Sequence, residues 1–419
     1  MNLRHYFRLN LQAFCFGLFS ITILFLLHLL PVNQIFIDPF SEAIKHHDVM
    51  DIAFSKFRDH NKLELFDTNL VVINSGVTDR TKLAKTIGLL NKMETKAVGL
   101  DLLLDTLSHT SADSILSRSI QSSSNIVLGY TFQENKKLHQ SIIQFQADSF
   151  FAKGKLSGFV NLGTNDSFSV RAYEPYHIIN GNRQPSFSTQ IAKLAYPETE
   201  KFLANRKTDK QWINFRRVQP GLASMVFPIN SDSATHYTLL EMNHFLRDSS
   251  LYKENNFFKN KIVLIGFTGE NEQALSMKDR YYTPLNERYT GRSRPDMSGV
   301  IIHANILSMI KANDFINDVP ESMLYLISLF IFYINYIIFL KIHSKLKPAG
   351  GVVIRLIQIL EFIILFSISI SLLVRFNTKL GFFLIATSVI LSFELFEIYE
   401  RRLEHWVNGW INKLRNLYG

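Results

Sequence analysis

The stretch NKIVLIGFTG, residues 260–269, contains four successive apolar side chains, from Ile262 to Ile265, and then two glycines within four positions. A short apolar run that ends in glycine is typical of a strand buried on both faces of a parallel sheet. The next apolar segment, GVIIHANILSMIKAND at residues 299–314, has the spacing of a helix. A buried strand followed by a helix predicts one unit of an α/β fold.

The same alternation occurs earlier in the chain. Strand-like runs lie at NLVVINSG (69–76), KAVGLDLLLD (96–105) and NIVLGYTF (125–132). Between them, residues 81–93 and 115–120 have apolar side chains at helical spacing. We therefore predict an α/β fold class, with a mixed or parallel sheet that carries helices on both faces.

Four apolar runs have the length of membrane crossings, at residues 11–30, 323–340, 352–374 and 380–398. A cleaved signal peptide is the alternative for the first run. The length of its apolar core and the lack of a small-x-small site before Pro31 favour an uncleaved anchor. We therefore predict one N-terminal and three C-terminal transmembrane helices.

The net charge of the 419 residues is +9, and the basic residues gather beside the apolar runs: Arg4, Arg8, Lys341, Lys345, Lys347, Arg401, Arg402, Lys413 and Arg415. This distribution is typical of membrane topology rather than of nucleic-acid binding. It places residues 1–10 and 400–419 in the cytoplasm and residues 31–320 outside; Arg375 and Lys379 oppose this weakly. We predict a multi-pass protein of the bacterial inner membrane with a large periplasmic domain.

The single cysteine, Cys15, lies in the first apolar run, which excludes an intramolecular disulfide and a cysteine-based metal site. The sequence contains neither HExxH nor G-x-S-x-G, and its histidines lack metal-ligand spacing. Kinase and cyclase signatures are also missing. We therefore expect no enzymatic activity, no metal and no cofactor.

Several blocks of the outer segment resemble the type-two CHASE domain, a sensory extracellular domain of bacterial receptors. The blocks are LVVI at 70–73, AVGLDLLL at 97–104 with Asp101, GFVNL at 158–162 with the later Val170-Arg171, KIVLIGFTG at 261–269, DRYYTP at 279–284 and GVIIHAN at 299–305. The resemblance covers about residues 40–318. It implies a sensory domain, and the three closing spans also resemble the family.

Two departures from the family pattern concern the first strand. In the family this strand usually ends in an acidic residue, whereas here it continues into Asn74-Ser75-Gly76. The tryptophan- and proline-rich stretch that often follows is replaced by VTDRTKLAKT. If that stretch shapes a ligand pocket, the pocket of this protein differs.

The matched blocks supply the candidate ligand-binding residues: Asp101, Arg171, Asp279, Thr283, His303 and Asn305. Each also has a structural interpretation. His303 and Asn305 would be buried groups that hold a helix to the sheet, Asp101 a helix cap, and Asp279 with Thr283 a turn over the sheet. Arg171 could pair with either aspartate or neutralise an anionic ligand.

Four ionisable residues within or near the spans form a candidate intramembrane polar network: Arg355, Glu361, Glu394 and Glu397. Helix rise places Glu361 and Glu394 at similar depth in adjacent antiparallel helices. Charged groups in a bilayer are costly. The alternatives are an interhelical or subunit contact, proton movement, and placement of Glu394 and Glu397 at the interface.

The last twenty residues form a predicted amphipathic helix whose apolar side includes Trp406, Trp410 and Leu414. Relatives of this architecture commonly continue into a cytoplasmic output domain, which we expect this protein to lack. The segment would lie on the inner leaflet or dock on another protein.

These features lead to three hypotheses. The first is a sensor or scaffold subunit that binds an unknown periplasmic ligand or protein and signals to a separate partner, or within a homo-oligomer. The second is a purely structural subunit of an envelope complex. The third is a component of a proton path or transporter, for which four spans leave little room.

Overall fold

The computed structural model describes residues 3–29, 48–57, 67–77, 79–135, 140–163, 169–206, 209–216, 237–270, 278–286, 294–346, 349–403, 405–407 and 409. The chain forms two compact units. One comprises Met1–Ala53 with Asn317–Gly419, and the other comprises Phe54–Ile316. We call the first the membrane unit and the second the outer domain.

Thirteen helices occur in the described residues: α1 Leu3–Leu29, α2 Val49–Ile52, α3 Arg80–Lys92, α4 Ser111–Ser122, α5 Ser149–Ala152, α6 Phe187–Ala195, α7 Thr199–Ala204, α8 Met242–Arg247, α9 Ser249–Glu254, α10 Gly299–Ala312, α11 Glu321–Lys345, α12 Gly350–Phe376 and α13 Phe382–Ile398. Two π-helical turns accompany them, at Ala53–Phe57 and Tyr399–Leu403.

Fifteen strands occur in the described residues: β1 Asp67–Asn74, β2 Ala97–Asp101, β3 Ile126–Asn135, β4 Gln140–Phe145, β5 Leu156–Phe159, β6 Ala172–Tyr173, β7 Tyr176–Ile179, β8 Asn182–Pro185, β9 Gln211–Trp212, β10 Tyr237–Glu241, β11 Ile262–Gly266, β12 Arg280–Tyr281, β13 Met297–Ser298, β14 Asn317–Asp318 and β15 Thr378–Lys379.

A seven-stranded sheet forms the centre of the outer domain. Its order is β10-β1-β11-β2-β3-β4, and β5 also pairs with β3. Every pairing is parallel except β3–β4. Strand β11 lies between β1 and β2, and its buried apolar side chains explain why the 260–269 stretch is apolar throughout. The predicted mixed α/β fold is therefore confirmed.

Helices cover both faces of this sheet. On one face, α3, α4 and α8 pack into one apolar core with the sheet through Leu83, Ile87, Leu116, Ile120 and Phe245. On the other face lie α6 and α10, the latter buried along its length from Gly299 to Ile310. Local capping fixes some helix starts: Asp79 Oδ1 accepts a hydrogen bond from Thr81 N at 2.8 Å at the start of α3.

Four helices of the membrane unit are long and apolar enough to cross a bilayer. The spans are Tyr6–Leu29, Glu321–Lys345, Gly350–Phe376 and Phe382–Leu403. A cluster of aromatic side chains packs α1, α11 and α13 together, and its members are Phe16, Phe332, Tyr336, Phe396 and Tyr399. The chain is thus a membrane protein with one N-terminal and three C-terminal candidate spans.

At one end of this unit, chain segments between the helices are tied to one another. Strand β14, which precedes α11, pairs in parallel with β15, which lies between α12 and α13. Lys379 Nζ of β15 donates a hydrogen bond to Asp48 Oδ2 at 2.9 Å, just before α2. We call this set of contacts the collar.

Gly158 of the GFVNL block offers a test of the packing between β5 and α6. A Cβ at residue 158 would lie 2.7 Å from both Cα and N of Phe187, and this backbone cannot move without shifting α6. Gly158→Ala should therefore lower the free energy of unfolding by roughly 2 kcal/mol. Thermal unfolding of the full-length protein in detergent measures the effect.

Gly163→Ala is the matched control, because a Cβ there would meet only Ala172 O at an ordinary 3.8 Å. An equal loss of stability in both variants would contradict the close approach of β5 to α6.

Candidate functional site

The carboxyl ends of four neighbouring parallel strands meet at one edge of the sheet. In register, Asn74 of β1 lies beside Glu241 of β10 and Gly266 of β11, and Gly266 lies beside Asp101 of β2. Ligands of parallel α/β sheets bind at this edge, where loops leave the strands. We call this row of residues the carboxyl edge.

Asn74 organises one half of the carboxyl edge. Its Nδ2 donates to both carboxylate oxygens of Glu241, at 2.9 and 3.0 Å, and to Gly269 O at 3.0 Å. Its Oδ1 accepts from the backbone N–H groups of Gly76 and Thr268. An acidic side chain at this position would meet Glu241 as a like charge. The asparagine at residue 74 is therefore compatible with the carboxylate of Glu241 on the neighbouring strand, because its amide donates to that carboxylate.

Asp101 and Asp279 form the other half. Gly266, the last residue of β11, is close to both β2 and α10. A Cβ at this residue would come within 2.8 Å of the Val300 side chain of α10 and 3.3 Å of Asp101 Cβ of β2. Asp279 adopts a left-handed backbone conformation with φ 55°, and its carboxyl oxygens lie 3.1 Å from the Cβ position of Gly299. The absence of side chains at both glycines lets the two aspartates approach the start of α10.

The electrostatics of the two aspartates differ. Burial and, second, the negative charge of Asp279 raise the pKa of Asp101 to about 8. Burial also raises the pKa of Asp279 to about 6, although the Tyr281 hydroxyl and Lys278 act in the opposite direction. Asp279 is the more exposed of the two, so water screens the electrostatic interactions of its carboxylate. At neutral pH, Asp101 is mainly a neutral acid beside an ionised partner.

Thr283 lies in the loop that carries Asp279, and Asp296 holds this loop. Thr283 N donates to Asp296 Oδ1 at 2.9 Å, and the Thr283 hydroxyl donates to Asp296 Oδ2. Asn286 Nδ2 donates to the same carboxylate at 3.2 Å. These contacts agree with the interpretation of Thr283 as part of a turn. Asp296 itself lies outside the recognised blocks and was missed.

His303 and Asn305 are buried on α10, one to two turns below Asp279. His303 Nδ1 lies 2.9 Å from the Ser188 hydroxyl of α6, and burial lowers the pKa of His303 to about 4. Asn305 Oδ1 accepts from Arg216 N at 2.8 Å, and its Nδ2 donates to Ile301 O. Both side chains therefore join α10 to neighbouring segments.

Arg171 is buried next to the small sheet of β6 and β9, where its carbonyl accepts from Ile213 N at 2.8 Å. Within the described residues, Lys278 rather than Arg171 is the cation that lowers the pKa of Asp279. The structure thus brings Asp101 and Asp279 together, with Tyr281 as a third member that the sequence did not single out.

The opposite edge of the sheet carries a charged cluster around Asp67 of β1. Its carboxylate accepts from Ser308 at 2.9 Å and from Lys311 at 3.0 Å, both on the last turns of α10. Burial alone would raise the pKa of Asp67, but the hydrogen bond and charge of Lys311, together with hydrogen bonds from Asn69 and Ser308, hold the pKa below its usual value. α10 is therefore anchored near both of its ends.

A hydroxyl–imidazole–carboxylate chain lies on the β4 side of the domain. Ser141 Oγ is 2.9 Å from His177 Nε2, and His177 Nδ1 is 2.6 Å from Glu174 Oε2. The His177 ring also stacks on Phe132, with 4.5 Å between centroids. The chain ties β7 to β3 and β4, although its order of groups is also that of serine hydrolases.

In the membrane unit, the four predicted ionisable residues form separate contacts. Arg355 Nη2 donates to Glu394 Oε1 at 2.9 Å, and Arg401 Nη2 donates to Glu397 Oε2 at 3.2 Å. Glu361 accepts instead from Asn335 Nδ2 at 3.0 Å. Of the predicted docking residues, Trp406 is 78% exposed, while Trp410 and Leu414 lie outside the described residues.

The raised pKa of Asp101 predicts a pH dependence of stability. A carboxyl group whose folded pKa lies above its unfolded value stabilises the fold fully only below the unfolded pKa, and this contribution is lost as pH rises towards 8. We expect the free energy of unfolding to fall by roughly 1–2 kcal/mol between pH 6 and 8, after allowance for solvent screening. Denaturant unfolding monitored by tryptophan fluorescence measures it.

Asp101→Asn should remove most of this decline. The depressed pKa of His303 lowers stability only as pH falls below its unfolded value near 6.5, and this effect is the same in wild type and variant, so it cancels in the comparison. A decline of the same size in wild type and Asp101→Asn would refute the assignment to this carboxyl group.

Comparison with known proteins addresses the family. The family model described as "CHASE2 domain" matches residues 59–341, about two thirds of the chain. Neither the search of curated proteins nor that of solved structures gave a significant match. With the parallel sheet, the aspartate at its carboxyl edge and membrane helices before and after it, the chain belongs to the CHASE2 domain family.

Proposed function

We propose that this protein is a sensor subunit of a bacterial inner membrane. Its outer domain would lie in the periplasm and bind a ligand or a protein at the carboxyl edge, and its membrane helices would pass the change to a separate protein. The protein would act by binding rather than by catalysis. The family membership and the four membrane spans support a sensory role.

The observation that carries this proposal is the side chain of Asp101. It is half-buried at the carboxyl edge, and no described residue forms a hydrogen bond with its carboxyl group. An aspartate that only caps a helix would accept hydrogen bonds from backbone N–H groups with its carboxyl oxygens. An acid that keeps its hydrogen-bonding groups open at a ligand-binding edge is better explained as a contact for a ligand.

The charges at this edge favour a cationic ligand. Asp279 places its carboxylate against the first turn of α10, where an anion would otherwise bind. Glu241 adds a further carboxylate along the same row. A polyamine, a divalent cation or a basic side chain of a protein would complement these groups.

α10 offers the route for the signal. Its N-terminal Gly299 donates its N–H to Asp279 O at 3.1 Å, and its last turns bind Asp67. The helix is buried between these contacts, so a displacement at Asp279 moves it as a rigid body. Residues 313–320 then lead directly into α11.

Ligand binding can be tested by melting of the full-length protein in nanodiscs with spermidine, Ca²⁺ or Mg²⁺. We expect at least one of these cations to raise the melting temperature of the wild type, since a ligand that binds only the folded state stabilises it. Asp101→Asn should abolish the increase.

Asp148→Asn is the matched control, because Asp148 caps α5 and asparagine caps a helix equally well. The same variants, purified gently from native membranes, show by mass spectrometry whether a partner protein is present. A partner that binds wild type and Asp101→Asn alike, with no cation effect on melting, would favour a structural assembly role instead.

The absence of catalysis can be tested at Ser141. If the chain Ser141–His177–Glu174 is structural, a fluorophosphonate probe should not label the native protein, because a hydrolase also needs oxyanion donors beside an activated serine. Labelling is measured by gel fluorescence and peptide mapping. Labelling that Ser141→Ala removes would overturn the binding-only proposal.

A further inference from the structure

Glu361 lies close to the midpoint of α12. This helix of 27 residues is about 40 Å long, and Glu361 is about 17 Å from its first residue. The hydrocarbon core of a bilayer is about 30 Å thick. Glu361 therefore lies at a depth where headgroups and bulk water are remote, and its side chain is half-buried on the surface of the bundle.

The polar groups around Glu361 are neutral. Asn335 of α11 donates its Nδ2 to Glu361 Oε2 at 3.0 Å and to the Ser392 hydroxyl of α13 at 3.2 Å. Gln358, one turn from Glu361, donates to Val389 O at 2.6 Å and to the same hydroxyl at 3.2 Å. Three helices thus meet at one polar cluster with a single carboxyl group.

Asn335 leaves one strong acceptor open. Asn335 is only 1% exposed, and its side-chain oxygen Oδ1 has no hydrogen-bond partner among the described residues. An amide oxygen buried in this way costs free energy until a donor or cation reaches it. The carboxyl group of Glu361, already bonded to the same amide, becomes such a donor when it carries a proton.

Among the residues that the structure describes, no unpaired cation lies at this depth. Arg355, six residues from Glu361 on α12, forms an ion pair with Glu394 of α13, with 2.9 Å between Nη2 and Oε1. The other charged or titratable groups that the structure describes on the packed helices and their connections lie towards the ends: Asp48, Asp51, Asp318, Glu321, Tyr325, Lys341, His343, Lys345, Arg375, Lys379, Glu397, Tyr399, Glu400, Arg401 and Arg402. Tyr333 and Tyr336 are the nearest titratable groups in sequence on α11.

We propose that Glu361 and Asn335 form a proton-binding site within the membrane. The proton resides on the carboxyl group of Glu361, which becomes neutral and can donate to the open acceptor of Asn335. This removes the uncompensated charge from the bilayer. The site is distinct from the ligand site at the carboxyl edge and does not depend on it.

Occupancy of this site affects the contact of three helices. With the proton bound, acid and amide can form two hydrogen bonds between α12 and α11, and Ser392 keeps α13 in register. Without the proton, a carboxylate on the bundle surface draws water or a cation to this point. The protonation state thus selects how α12 packs against its neighbours.

Dicyclohexylcarbodiimide tests the proposal, because this apolar reagent reaches membrane-embedded carboxyl groups and reacts with their protonated form. The full-length protein in nanodiscs is treated at pH 6, 7 and 8, and the modified peptides are quantified by mass spectrometry. We expect Glu361 to be modified at least about ten-fold more than Glu394, which forms an ion pair with Arg355. Glu394 serves as an internal control at a nearby position, so the main comparison needs no variant.

Glu361→Gln should lose the modification while leaving Glu394 unchanged, and its amide can still bond to Asn335. Modification of Glu361 no greater than that of Glu394 at every pH would overturn the proposal. Protection of Glu361 by sodium chloride, but not by choline chloride, would assign the site to sodium and overturn the assignment to a proton.

Discussion

The burial of α10 is the constraint on which the outer domain depends. A helix with twelve consecutive buried residues cannot leave a polar side chain unmatched, so His303, Asn305 and Ser308 each need a partner from another segment. Ser188, Arg216 and Asp67 supply these partners. The sheet, α6 and the segment around residue 216 are therefore positioned by the same helix whose first residue, Gly299, binds Asp279.

The hydrophobic pattern was sufficient to predict the fold class and four strands of the central sheet. The apolar runs at 69–76, 96–105, 125–132 and 260–269 became β1, β2, β3 and β11, because strands buried on both faces must be apolar throughout. Asp101 ends β2, so its place at the carboxyl edge could also be predicted. The four membrane spans followed from length and composition alone.

The partners at the site could not be predicted, because they depend on strand order. Glu241 meets Asn74 across 167 positions of sequence, since β10 adds to the edge of β1. In the membrane unit, helix rise places residues at a depth but does not determine rotation about the helix axis. Glu361 therefore faces Asn335, a residue that the sequence did not single out, while Glu394 faces Arg355.

The collar gives the membrane unit a mechanical property. It connects three segments: Asp48 just before α2, strand β14 just before α11, and strand β15 between α12 and α13. Residues 317–318 consequently cannot move without disturbing their contacts with β15 and, through Lys379, with Asp48. A displacement of residues 317–318 therefore reaches the turn between α12 and α13 as well as α11, because β14 and β15 are hydrogen-bonded to each other.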